Sequence, residues 1–155
     1  MPPTLKPGSG GKLAGTARSV LERKGWVVHS IGPDASVYEA IARMNEHQVG
    51  ALFVIDDSRL LGVFSERDYA RKLALRGLRS RDTPVSAVMS SPVLTIRPDA
   101  SVQDGLEVMT EKYIRHLPVV DSSGVIGMVS IGDLVKAVIQ DQQALIEQLE
   151  SYLAR

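Results

Sequence analysis

The sequence predicts a mixed α/β fold of the α+β type, built from two copies of one β-α-β-β-α unit. The segment Pro33-Asp34-Ala35-Ser36-Val37 recurs 65 residues later as Pro98-Asp99-Ala100-Ser101-Val102. The same offset, without a gap, pairs Asp68 with Asp133. Each copy also repeats the same order of apolar runs and turn residues. Self-similarity at a fixed spacing indicates a duplicated structural unit.

Each copy begins with a short extended segment that a proline ends. These segments are residues 27–31 and 93–96. Ser36 then has the position of a helix N-cap, with Glu39 three residues on, as in a capping box. Ser101 repeats the N-cap in the second copy. Helical spacing of apolar residues predicts the buried face of the first helix, which consists of Val37, Ala40, Ile41 and Met44.

Two short apolar runs on either side of a polar turn follow in each copy. In the first copy they are residues 51–55 and 60–65, and in the second copy residues 117–120 and 125–130. This pattern is typical of a hairpin of buried β-strands.

A second helix closes each copy. In the first copy it is predicted from about residue 66 to residue 76, with Gly77 at the C′ position. In the second copy it begins near Ile131 and continues to the end of the chain. Residues 16–24 and 85–89 are predicted to be short helical lead-ins to the two copies. The predicted boundaries are a flexible leader at 1–12, a first domain at 13–80 and a second at 81–155.

Composition excludes several classes of function. The 155 residues carry 18 basic and 18 acidic side chains, so the chain lacks the positive charge typical of nucleic-acid binding. It contains no cysteine, which excludes disulfides, thiol catalysis and cysteine-based zinc sites. The apolar runs are too short to span a membrane. We therefore expect a cytoplasmic protein, or one of the mitochondrial matrix if its precursor is targeted there.

Four segments resemble the motifs of the CBS domain family, in the tandem arrangement called a Bateman module. Two of them, 62–68 and 127–133, share the pattern Gly-hydrophobic-x-Ser-x-x-Asp, and the other two are 115–121 and 85–89. The resemblance covers the chain from about residue 13 onward. It implies two units packed sheet to sheet as a pseudo-two-fold pair, with two clefts between them.

The resemblance also implies a function, which is regulation by an adenosyl ligand and not catalysis. AMP is the favoured ligand, and ADP, ATP, NAD(H) and S-adenosylmethionine are the alternatives known among members. Magnesium is expected only with a polyphosphate ligand, and no catalytic residue or protein-only metal site is expected. The regulated partner protein is not identified by the sequence. The alternative is a structural homodimerisation scaffold with vestigial pockets.

The first cleft is predicted to combine Asp68 with residues from both copies. A carboxylate can accept two hydrogen bonds from a ribose diol, and a guanidinium can bind phosphate through two parallel hydrogen bonds. Instead of contacting a ligand, the Ser-x-x-Asp segment could serve only as a helix cap. Arg115 and His116 could likewise be solvated side chains at an exposed strand end. By the family pattern, the residues of this cleft are Ser30, Ile31, Ser65, Asp68, Arg115 and His116.

The second cleft is predicted around Asp133. Arg67 is its expected phosphate contact, and the alternative for Arg67 is a surface cation that pairs with Glu66. Ser30 and Thr95 are expected to contact adenine, although both have the alternative of ordinary polar strand residues. The residues predicted for the second cleft are Thr95, Ile96, Gly50, Ala51, Arg67, Ser130 and Asp133.

The last helix carries apolar residues at heptad spacing. We interpret this seam as a homodimer contact, with an amphipathic helix folded onto its own chain as the alternative. The seam consists of Ile131, Val135, Val138, Gln142, Leu145, Leu149 and Tyr152.

Overall fold

The computed structural model describes residues 4–5 and 14–154. The chain forms two compact units, and the predicted α+β fold of two repeats is confirmed. Among the described residues, the first unit spans Val28–Val93, and the second combines those up to Val27 with those from Leu94 onward.

The first unit contains a three-stranded sheet in the order β2 (Ser30–Ile31), β3 (Ala51–Asp56) and β4 (Arg59–Ser65). Strand β2 runs parallel to β3, and β3 and β4 form the predicted antiparallel hairpin. The turn of this hairpin has positive φ angles at Asp57 and Ser58, as type I′ hairpin turns require. The elements of this unit are β2 (Ser30–Ile31), α2 (Val37–His47), β3 (Ala51–Asp56), β4 (Arg59–Ser65), α3 (Glu66–Asp68), a π-helix (Tyr69–Ala74) and a 3₁₀ turn (Val85–Ala87).

The second unit repeats this arrangement with one more strand. Its sheet has the order β1-β5-β6-β7, in which β1 and β5 run parallel and β6 and β7 form the hairpin. The elements of this unit are β1 (Thr4–Leu5), α1 (Ala17–Lys24), β5 (Thr95–Ile96), α4 (Val102–Lys112), β6 (His116–Asp121), β7 (Gly124–Ser130) and α5 (Ile131–Leu153).

The compact units differ from the sequence repeats at their lead-in segments. Helix α1 precedes the first repeat in sequence, but it belongs to the second unit, where it contacts β7 and α5. The 3₁₀ turn Val85–Ala87 precedes the second repeat but belongs to the first unit, where the Val85 N–H donates to the Ala35 carbonyl at 2.9 Å. The boundaries at 13–80 and 81–155 stay a prediction about the sequence repeats. In the structure, each lead-in segment packs in the unit formed by the other repeat.

The predicted flexible leader at 1–12 lies outside the described residues except at Thr4–Leu5. These two residues form a short strand that pairs with Thr95–Ile96, and the flexibility of the leader stays a prediction. A parallel partner satisfies backbone groups of β5 that would otherwise form an open sheet edge.

Two local predictions differ from the structure in detail. Ser36 caps α2 by accepting from the Glu39 N–H at 3.1 Å, but the Glu39 side chain does not complete the predicted capping box. The helix predicted over 66–76 begins as α3 and continues with the wider turns of a π-helix. Side-chain periodicity over two turns does not distinguish these hydrogen-bond patterns. Gly77 has a φ of +64°, as a residue that ends a helix requires.

Each unit has its own apolar core. In the first unit it forms around Phe64, Val54 and Met44, and in the second around Leu21, Leu117 and Leu134. In the described part of the chain, no helix is long and apolar enough to cross a membrane. The two cores hold the strand-to-helix junctions at Ser65 and Ser130 in place.

Candidate functional site

The two Ser-x-x-Asp segments form capping boxes at equivalent junctions. In the first unit the Ser65 hydroxyl accepts from the Asp68 N–H at 3.2 Å, and the Asp68 carboxylate accepts from the Ser65 N–H at 2.9 Å. In the second unit the corresponding distances for Ser130 and Asp133 are 3.1 and 2.8 Å. The capping alternative is therefore confirmed in both units, while the role toward ribose stays a prediction.

The Asp68 carboxylate is buried and fully engaged within its own unit. Its Oδ2 accepts from the N–H and the hydroxyl of Ser65. Its Oδ1 accepts from the Ser90 hydroxyl at 2.8 Å and lies 3.1 Å from the Lys72 Nζ. A carboxylate has about four lone-pair sites, and these contacts occupy all of them. A ribose diol would have to displace Ser90 or Lys72 to bind there.

The Asp133 carboxylate is more accessible and has a different partner. Its Oδ2 accepts from the Ser130 N–H and from the Lys24 Nζ at 2.6 Å. Within the described part of the chain, every hydrogen bond to this carboxylate ends on Oδ2, and Oδ1 remains available as an acceptor. Burial raises the pKa of the Asp133 carboxyl, but the hydrogen bonds from Lys24 and Ser130 and the Lys24 charge outweigh it and hold that pKa below its usual value.

Replacing Lys24 with Met is expected to lower the free energy of unfolding at neutral pH by no more than about 1 kcal/mol, because the pair is partly exposed. The folded pKa of Asp133 lies below its unfolded value of about 3.9. The stabilisation is therefore present above about pH 4 and lost as the pH falls through the folded pKa. Urea unfolding of wild type and Lys24→Met from neutral to strongly acidic pH measures this difference. A difference that stays constant at the acidic end would contradict it.

The other predicted residues of the first unit lie on its sheet or at its edges. Ile31 is buried in the apolar core, and the Ser30 carbonyl accepts from the Arg43 Nη1 at 2.6 Å. Ala51 pairs with Ser65 across the hairpin, and the Gly50 carbonyl accepts from the Glu66 N–H at 3.0 Å. Gly50 and Ala51 therefore flank the first turn of α3, in which Arg67 is half-buried.

The predicted residues of the second unit follow the same pattern. His116 pairs with Ser130 across the hairpin, and the Arg115 carbonyl accepts from the Ile131 N–H at 2.9 Å. Both therefore lie beside the start of α5. Thr95 and Ile96 are 0% and 1% exposed, so both side chains are buried in this unit, and their contact with a ligand stays a prediction. The grouping of Arg115 and His116 with Ser65 and Asp68 stays a prediction.

Three contacts to the two carboxylates were not predicted from the sequence. Lys72 lies four residues after Asp68, a spacing at which helical ion pairs form, so the sequence contained a signal for it. Ser90 reaches Asp68 from 22 residues away, and Lys24 reaches Asp133 from 109 residues away. No local spacing points to either of these contacts, because each depends on where a lead-in segment packs.

Helix α5 extends beyond the core with an exposed apolar surface. Every residue from 141 to 154 is exposed, and the described residues of the chain do not cover this part of the helix. The surface is wider than the predicted seam, because Ile139, Ile146 and Leu153 form a second row at seven-residue spacing. The members of this surface, called the α5 apolar surface below, are Ile131, Val135, Ile139, Leu145, Ile146, Leu149, Tyr152 and Leu153.

Comparison with known proteins identifies both repeats. The family model of the CBS domain matches residues 26–75 and residues 85–140. The mitochondrial CBS domain-containing protein CBSX3 of Arabidopsis thaliana is 38% identical over 125 residues, which are 77% of this chain and 61% of that protein. The chain therefore spans about three-fifths of that relative's length.

Two further proteins are similar over more of their own length. CBS domain-containing protein YhcV of Bacillus subtilis is 36% identical over 69% of this chain and 76% of its own. A solved structure from Burkholderia ambifaria, named as a candidate signal-transduction protein with CBS domains, is 40% identical with a TM-score of 0.78. The alignment covers 82% of this chain and 96% of that one.

Proposed function

We propose, from the premise that this chain belongs to the CBS domain family, that it is a regulatory module that binds an adenine nucleotide. Proteins with CBS pairs are in general regulatory and not catalytic, and the similar structure from Burkholderia ambifaria is named for signal transduction. AMP is the favoured ligand, and ADP, ATP and NAD(H) are the alternatives. Magnesium would enter only with a polyphosphate.

The observation that carries the proposal is the available Oδ1 of Asp133 beside a cationic side chain. A ribose diol can donate to Oδ1 while Oδ2 keeps its contacts with Ser130 and Lys24. Lys24 has three N–H donors, of which two already go to Asp133 and to the Met128 carbonyl at 2.7 Å. Its third donor is suited to a phosphate oxygen. The same junction in the first unit has Asp68 saturated, so we infer that the site at Asp133 is the stronger one.

Nucleotide is expected to raise the thermal stability of the protein. A ligand that binds only the folded state at 100 times its Kd stabilises it by about 2.7 kcal/mol per site. Thermal unfolding is measured with AMP, ADP, ATP, NAD, NADH and S-adenosylmethionine at millimolar concentration, and with adenosine to separate the nucleoside from the phosphates. A melting temperature that none of these ligands changes would remove the nucleotide proposal.

The two carboxylates are expected to contribute unequally. Asp133→Asn should weaken nucleotide binding by at least about tenfold, since a hydrogen bond to a charged group contributes about 1.5–3 kcal/mol. Asp68→Asn should change affinity less and stability more, because it leaves the half-buried Lys72 without its carboxylate. Calorimetry compares both variants with the control Asp141→Asn, which alters an exposed residue of α5. Indistinguishable isotherms for Asp68→Asn and Asp133→Asn would contradict this assignment.

A second proposal, that the chain is a homodimer, is favoured by the α5 apolar surface. Exposed apolar area is unfavourable by roughly 25 cal/mol per Å², and two-fold pairing is the commonest way in which soluble proteins bury such a surface. Dimerisation is compatible with nucleotide binding. If no nucleotide binds, dimerisation would be the remaining function, as in the alternative of a scaffold with vestigial pockets.

A further inference from the structure

A small pocket lies between α1 and α5 in the second unit. Its volume is about 180 Å³, which is more than a single water molecule needs. Its floor includes Val20 and Ala137, which are each 5% exposed, and its rim is charged. The pocket, called the α1–α5 pocket below, is lined by Val20, Arg23, Lys24, Asp133, Lys136, Ala137 and Gln140.

The rim of the pocket carries an excess of positive charge. Arg23, Lys24 and Lys136 face a single carboxylate, Asp133, which Lys24 already neutralises at 2.6 Å. In the described part of the chain, neither Arg23 nor Lys136 forms an ion pair. The whole chain has equal numbers of acidic and basic residues, so this excess is a local property of the pocket and does not follow from a basic composition.

Two rigid helices hold these groups in place. On α5, Asp133, Lys136 and Gln140 recur at spacings of three and four residues, which places them on one helix face. On α1, Arg23 lies three residues after Val20, and its Nη1 donates to the Gln140 Oε1 at 2.6 Å. This hydrogen bond joins the helices across the pocket and limits the orientation of the guanidinium. Groups fixed on helices bind with less loss of conformational freedom than groups on loops.

We propose that the α1–α5 pocket binds a phosphate group, held by Arg23, Lys24 and Lys136. A guanidinium has five donors in a planar fork and binds phosphate oxygens in pairs, while ammonium groups add mobile point charges. The phosphate is either a free anion or the end of a nucleotide whose ribose is bound at Asp133. Only the second source rests on the proposed function.

The test uses inorganic pyrophosphate as the probe and titrates the full chain by calorimetry. Wild type should bind it saturably, and Lys136→Gln and Arg23→Gln should each weaken binding by about tenfold. The control is Lys112→Gln, which removes an exposed cation from α4 that does not line the pocket. All three side chains are exposed, so circular dichroism should show unchanged folding. An absence of saturable binding to wild type, or equal weakening in Lys112→Gln, would overturn the proposal.

Two further titrations identify the source of the phosphate. If the pocket takes the end of a nucleotide, Lys136→Gln should weaken ATP but not adenosine, and pyrophosphate should compete with ATP. If it takes a free anion, pyrophosphate should bind equally well to wild type saturated with ATP. Adenosine binding without pyrophosphate binding would contradict the proposal of a phosphate site in the α1–α5 pocket. It would remain consistent with the nucleotide proposal. Pyrophosphate binding without binding of any adenine nucleotide would support the pocket and count against the nucleotide proposal.

Discussion

A chain that lacks residues 142–155 is expected to be monomeric at concentrations at which the full chain is a dimer. The truncation removes Leu145, Ile146, Leu149 and Tyr152, each of which is more than half exposed. It leaves Leu134 and Ala137, by which α5 packs onto its own unit. The core of the second unit and the Asp133 carboxylate should therefore be unaffected.

The expected effect on the dimer is large, because loss of one well-packed leucine contact costs about 2–5 kcal/mol. We expect the dimer dissociation constant to rise by at least about a hundredfold, which corresponds to about 2.7 kcal/mol. Sedimentation velocity or light scattering over a dilution series measures it, and thermal unfolding with nucleotide tests whether the binding site survives.

A pair of point variants tests whether the dimer depends on the α5 apolar surface or only on the length of the helix. Leu149→Glu places a charge within the surface, and Ser151→Glu places the same charge on the opposite face of the helix. At about 100° per residue, Ser151 is about 200° from Leu149 around the helix axis. Only Leu149→Glu should weaken the dimer. An unchanged mass for the truncated chain would mean that the dimer uses another surface, and a monomeric full chain would contradict the homodimer proposal.

Gly127→Ala is expected to destabilise the second unit by about 1–3 kcal/mol, the usual cost of overpacking a core. A Cβ at Gly127 would lie 2.7 Å from the Leu21 Cδ2, and Leu21 is fully buried. The Leu21 side chain would have to shift to admit the new methyl group, and because it is fully buried this shift disturbs the packing of α1 on β7. Chemical denaturation of the variant measures the loss.

The matched control is Gly132→Ala, which adds the same methyl group five residues later. Its Cβ would meet only the Ser130 Oγ, at 3.7 Å, and alanine favours a helix over glycine by about 1 kcal/mol. We expect this variant to be as stable as wild type or more so. Equal destabilisation by both substitutions would show that the close approach of Leu21 does not restrict Gly127.

The two equivalent glycines of the duplicated motif, Gly62 and Gly127, both lie where a neighbouring segment leaves no room for a Cβ. Gly62, the equivalent of Gly127 in the first repeat, would place a Cβ 2.7 Å from the Met89 Sδ and 2.9 Å from the Ser90 carbonyl oxygen. In each unit a lead-in segment therefore packs directly on the strand that carries the glycine. The sequence shows the recurrence, and only the structure shows what occupies the space.

The elements that could be predicted from the sequence are those whose cause is local. The repeat, both hairpins, the serine caps and the long last helix depend on side-chain alternation and on hydrogen bonds over a few residues. The Ser65–Asp68 and Ser130–Asp133 pairs belong to this class. Their capping geometry follows from a three-residue spacing, which is why the capping alternative was already visible in the sequence.

The surroundings of those two carboxylates could not be predicted from the sequence, because they depend on long-range packing. The Ser90 hydroxyl donates a hydrogen bond to Oδ1 of Asp68, so both oxygens of that carboxylate have partners. The distant Lys24 donates to Oδ2 of Asp133, the oxygen that Ser130 also contacts. Both outcomes depend on which unit each lead-in segment packs against. That choice is made by contacts between residues far apart in the chain, such as Leu21 on Gly127, which local propensity does not encode.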